Sequence, residues 1–143
     1  MKLTQFEVGH AYVALGSMSV PHLSFYVAQM RVSGLSWSAE IDGRIVASAG
    51  LIPLWAGVAE AWMISGDEID RHAIKIARTL RTKLEDIMWQ RSIHRAQANI
   101  HCRFARAIRL AGWLGFENEG RMTRFGVEGD DYYRFAKVIN HGD

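Results

Sequence analysis

The hydrophobic period of this chain changes and then changes back, and that succession constrains the fold more than any other feature. In "VAEAWMIS", residues 58–65, Val58, Glu60, Trp62 and Ile64 alternate with Ala59, Ala61 and Met63, the pattern of a strand. From Asp67 to about Arg91, Ile69, Ala73, Ile76, Leu80, Leu84 and Ile87 recur at spacings of three and four, which winds them into one apolar stripe along a long helix. "RAQANIH" then sets Ala96, Ala98 and Ile100 against Arg95, Gln97 and Asn99, as a strand buried on one face does. The helix stripe needs a sheet to pack on.

The remaining segments supply one. "SVPHLSFYVAQMRVSG" reads as a helix, with Ser19 as cap, Pro21 in the first turn and Gly34 beyond the end. Strands are predicted at about 36–41 and 44–52, joined at Asp42-Gly43, a dipeptide suited to the positive φ values of a tight hairpin. Phe104, Ile108, Ala111 and Leu114 form a second helical stripe, which Gly115 can end in a left-handed conformation, with Phe116 anchoring the returning chain. "MTRFGVE" and "YYRFAKV" then pair as a hairpin around Gly129-Asp130-Asp131. The order predicts an α/β (α+β) fold, a mixed and mainly antiparallel sheet flanked by helices, in a single domain over residues 1–143.

With 49% apolar residues the chain can bury a substantial core, and no segment reads as a secretory leader or an apolar span, so a soluble cytoplasmic protein is expected, with no membrane partner. One cysteine, Cys102, excludes an internal disulfide framework, and the six histidines show no ligand spacing, so no metal is expected. Net charge is only +2, yet residues 71–109 carry ten Lys/Arg against two Asp/Glu. Arg71, Lys75 and Arg78 fall on one helical stripe, and Arg103, Arg106 and Arg109 follow one another by three on the next helix. These are candidate partner-binding residues for an acidic surface; a solvated helix face is the alternative.

"AIRLAGWLGFENEG", residues 107–120, placed after a strand, resembles the GNAT (GCN5-related N-acetyltransferase) family, in which a helix carrying Ala-hydrophobic-Arg ends in Leu-Gly-Phe, then Glu and Gly. The resemblance covers about residues 36–138. Within that superfamily "AWMISGDEID", residues 61–70, together with Ile108, Arg109 and Gly115, is similar to the acetyltransferase-like internal virion and assembly proteins of short-tailed phages. That likeness implies a place in the host cytoplasm or in the virion, and a virion or host protein as partner.

The family resemblance implies acetyl-CoA as cofactor, with Met63, Ile64 and Ser65 as strand positions along the pantetheine and Arg71, His72 and Ala73 at the helix start that takes the pyrophosphate. Helix N-terminal amides favour anions. The family's Arg/Gln-x-x-Gly-x-Gly/Ala loop is replaced here by "GDEIDRHAIK", with Asp67, Glu68 and Asp70 facing the approach of a phosphate. Phe104 and Ala111 stand where such enzymes often place an Asn and a proton-donating Tyr, and neither side chain can donate.

Glu60 is the candidate catalytic base, an exposed strand glutamate being the structural alternative. Cys102, close to a basic helix start, is a weaker candidate nucleophile. Five tryptophans among arginines raise single-stranded nucleic-acid binding, but Trp37, Trp55, Trp62 and Trp113 read as core, leaving Trp89 as the exposed ring, so a protein partner is preferred. Two functions follow: a phage accessory or assembly protein that binds through this fold with degenerate catalysis, and an acetyl-CoA-dependent N-acetyltransferase acting on an amine.

Overall fold

A computed structural model describes residues 1–16, 23 and 27–140. The strands are β1 (Lys2–Gln5), β2 (Ser36–Ile41), β3 (Arg44–Trp55), β4 (Val58–Ser65), β5 (Arg95–His101), β6 (Glu117–Met122) and β7 (Tyr132–Val138). The helices are α1 (Val8–Leu15), α2 (Ala73–Gln90) and α3 (Ala105–Trp113). The sheet runs β1-β2-β3-β4-β5-β7-β6. β4 and β5 pair in parallel, whereas β1/β2, β2/β3, β5/β7 and β6/β7 are antiparallel. This is the mixed, mainly antiparallel α/β fold that the periodicities predict. Backbone contacts divide the chain into two compact units, Met1–Ile52 with Ala61–Arg78, and Pro53–Glu60 with Thr79–Asp143.

Several boundaries differ from expectation. Asp42 and Gly43 take φ values of 51° and 76°, as their hairpin requires. Ser19 and Pro21 lie outside the described residues; Leu23 is helical, and Val27–Met30 form a 3-10 turn ahead of Gly34. The long helix opens as a 3-10 segment, Asp67–His72, before α2, and Ala73 of its expected apolar stripe is exposed. The sixth strand is "ENEGRM", not "MTRFGVE", because residues 123–131 are spent on a turn that Asp131 organises. Its carboxylate accepts from the Arg124 amide at 2.8 Å and from Arg121 Nε at 2.7 Å, and Arg124 stands at a φ of 56°. β1 and α1 carry no signal that the periodicities used.

In the first unit Phe6, Ala11, Ala14, Leu15, Leu23, Val27, Met30 and Ile64 form a core against which Trp62 packs, its ring 4.9 Å from that of Phe6. Three serine hydroxyls are buried with it and are satisfied. His10 Nδ1 lies 2.8 Å from Ser38 Oγ, which lies 2.8 Å from Ser48 Oγ, and Ser36 Oγ donates to the Val32 carbonyl.

The second unit explains why α3 ends where it does. Gly115 sits at a φ of 94°, its N–H donates to the Gly112 carbonyl, and the Phe116 N–H donates to the Ala111 carbonyl at 2.9 Å. This double bond pattern closes a helix through a left-handed residue. Lys137 of β7 supplies what the backbone cannot: its buried Nζ donates to the Leu114 carbonyl at 2.7 Å and to Glu85 Oε1 of α2 at 3.1 Å. A Cβ on residue 115 would stand 2.8 Å from that nitrogen. The left-handed φ is what demands glycine here, and a side chain would in addition displace the ammonium.

Gly115→Ala should cost at least about 2 kcal/mol in urea unfolding, from backbone strain and displacement of the ammonium. Gly112→Ala, where a Cβ meets nothing within 4 Å, should instead stabilise by about 0.5–1 kcal/mol, because alanine loses less conformational freedom in a helix. Equal effects at the two positions would contradict this account of the helix end.

Candidate functional site

Glu60 lies at the Glu60↔Gln97 pair of the parallel β4/β5 ladder, and it is not the exposed strand glutamate of the structural alternative. Alternation puts the side chains of Arg95, Gln97 and Asn99 on one side of β5. Gln97 Nε2 donates to Glu60 Oε2 at 3.2 Å, and Asn99 Nδ2 donates to Oε1 at 2.5 Å. The two amides are themselves oriented. Arg134 Nε of β7 donates to Asn99 Oδ1 at 2.8 Å, and Arg95 Nε donates to Gln97 Oε1 at 3.0 Å.

The chain of contacts ends at β6. A bulge between Asn118 and Gly120 frees Glu119 from the β7 register, and Arg95 grips its carboxylate through both terminal nitrogens at 2.9 and 2.5 Å. Arg95 holds that carboxyl below its usual range. Six side chains from four strands thus form one polar line, Glu119-Arg95-Gln97-Glu60-Asn99-Arg134. The sequence shows the alternation in "RAQANIH" but not the partners, which arrive from β4, β6 and β7.

Other residues of the second unit offer little proton chemistry. Phe104 precedes α3 with an exposed ring, and Ala111 is buried, so both are structural. Cys102 is half-buried, and its amide donates to the Asp131 carbonyl at 3.1 Å. Arg103 is exposed in the turn ahead of α3 rather than on the helix, Arg106 is half-buried and Arg109 exposed. Trp55 and Trp113, expected in the core, are 67% and 45% exposed, and Trp89 is exposed as expected. Among the described residues no group of three or more His, Cys, Asp or Glu could hold a metal ion. None of their helices is long and apolar enough to cross a membrane.

The expected phosphate-binding segment lies in the first unit. Ile64 is buried, while Met63 and Ser65 are half-buried. Gly66 is pressed against α1: a Cβ there would come 2.5 Å from the Ala14 carbonyl oxygen and 2.7 Å from that of Leu15. Packing, not an open anion loop, accounts for this glycine. Asp67, Glu68 and Asp70 occupy the first turn after it, Ile69 is buried beneath, and Glu68 is paired with Arg44. Of the helix-start positions Arg71 and Ala73 are exposed and His72 is half-buried; Lys75 and Arg78 continue the exposed face. Carboxylates in a first turn favour the helix dipole, and Glu68 is answered by Arg44 as well. This acidic turn stands where the resemblance implies a pyrophosphate.

No family model matches the sequence, and no curated protein matches it. Solved structures do match. The ribosomal-protein-S18-alanine N-acetyltransferase from Escherichia coli superposes with a TM-score of 0.76 at 18% identity, covering 99% of this chain and 96% of that one. A GNAT-family acetyltransferase from Streptococcus pneumoniae gives 0.73 at 15% identity, with 97% and 99% covered. Ard1 from Thermoplasma volcanium gives 0.76 at 10% identity, with 98% of each chain covered. The chain has the GNAT acetyltransferase fold over its whole length.

Glu60→Gln should lower stability by about 1–2 kcal/mol. One of the two amide donors would then face an NH2 group, and a buried donor left without an acceptor costs that much. Glu60→Gln unfolding at the wild-type denaturant midpoint would separate Glu60 from the hydrogen-bonded line described here.

Proposed function

We propose that this chain uses the acetyltransferase fold as a binding scaffold, with degenerate catalysis, in the assembly or interior of a short-tailed phage particle. The observation that carries the scaffold reading is the acidic first turn, Asp67, Glu68 and Asp70, where the fold's cofactor would bring a pyrophosphate. Phe104 and Ala111, unable to donate a proton to a departing thiolate, support it, as does Glu60, whose two oxygens are both engaged by fixed amides. The phage context rests on the likeness carried by "AWMISGDEID" and by Ile108, Arg109 and Gly115. It places the protein in the host cytoplasm and then with the particle.

The docking face in this reading is the exposed stripe of Arg71, Lys75 and Arg78 on the first unit, and its partner is an acidic virion or host protein. The competing function is N-acetyl transfer from acetyl-CoA with Glu60 as base. Calorimetric titration with acetyl-CoA decides between them. Affinity no tighter than about 1 mM is expected, and binding near 1 μM, about −8 kcal/mol, would overturn the scaffold reading in favour of the enzyme.

Reversing Arg71, Lys75 and Arg78 to Glu should leave the circular dichroism and melting behaviour close to wild type, since exposed charge changes shift stability by about 0.5 kcal/mol. The same variant should lose co-purification with virion components. Added salt should weaken the wild-type association in the same direction, because exposed charges are screened over about 8 Å at physiological ionic strength. A folded triple variant that still co-purifies would remove this stripe from the interface.

A further inference from the structure

The exposure of Trp113 is the observation that neither the fold nor the proposed scaffold role uses. Its ring, 45% exposed, closes α3 on the outer side, and the Arg81 guanidinium of α2 lies 5.1 Å from the ring centroid. Arg106 and Arg109 stand seven and four residues before it, so all three project from one face of the helix. That face is about 10 Å long at 1.5 Å per residue. Exposed Arg103 extends the basic track beyond the start of α3.

The local charge is unbalanced in one direction. Glu85 accepts from Arg81 at 3.4 Å but also from buried Lys137 at 3.1 Å, so one carboxylate answers two cations. Asp86, Glu117 and Glu119 are the other acids close in sequence to this face; the first two are exposed, and Glu119 is held by Arg95.

We propose that this Arg-Trp face of α3, with Arg81, binds single-stranded nucleic acid. The occupant of this face has to answer both the arginines and an exposed tryptophan with a cation at one side of its ring. A nucleotide chain accounts for both, since bases stack on an exposed ring and guanidinium groups meet the phosphates. Stacking needs no base-specific donor or acceptor, so the binding is sequence-tolerant. It is independent of acetyl-CoA and of the stripe on the first unit.

The test is fluorescence anisotropy of a labelled oligothymidylate with the full chain at about 50 mM salt, repeated as salt is raised. Binding to the single strand should exceed binding to a duplex of equal length and fall steeply with salt. Trp113→Ala should weaken it at least tenfold and Trp113→Phe by less. Arg109→Ala should reduce the log–log salt slope by about one, as expected for one lost phosphate contact. Should Trp113→Ala fail to fold by circular dichroism, Trp113→Phe and Arg109→Ala carry the test alone. Absence of single-strand binding at low salt overturns the proposal. So does wild-type affinity in folded Trp113 and Arg109 variants, or equally strong competition by polyglutamate, which would mark the face as one for acidic protein.

Discussion

The buried ammonium of Lys137 is the contact on which the arrangement of the second unit depends. It reaches from β7 to the carbonyl of Leu114 and to the carboxylate of Glu85, and so ties a strand and two helices at one nitrogen. A cation at a helix C-terminus is favoured by the dipole, and a buried one is tolerated only when fully paired. Lys137 keeps Glu85 below the usual carboxylate range, the direction expected of a charge with a close partner. The left-handed backbone at residue 115 demands glycine, and the Leu-Gly-Phe turn places the Leu114 carbonyl within reach of the ammonium.

The same unit carries a second polar device of different character. The line from Glu119 to Arg134 crosses four strands and sets each amide between two charged groups, so each amide has one orientation fixed at both ends. A carboxylate held in this way is a rigid acceptor. Both oxygens of Glu60 are engaged in this way.

In the first unit, packing and charge build the start of the long helix. Gly66 is pressed against α1, and Asp67, Glu68 and Asp70 stand in the first turn after it. No side chain caps this start, and the carboxylates act on it through the helix dipole.

By itself the sequence determined the elements whose burial is periodic: β2, β4 and β5, the apolar stripe of α2, the Asp42-Gly43 turn and the glycine at the end of α3. Period and turn chemistry are local, so they are legible residue by residue. It also determined the acidic helix start and the missing proton donors, which are matters of residue type. Tertiary structure decided the rest. β6, with "ENEGRM" almost wholly exposed, has no hydrophobic alternation and exists because β7 offers it an edge to pair with. Trp55 and Trp113 look like core residues from their neighbours, but which side of an element faces out depends on what packs beneath it. The partners of Glu60 come from residues 37 and 39 positions away, and that of Lys137 from 52. Such contacts are set by the register of one strand against another, which no local pattern encodes.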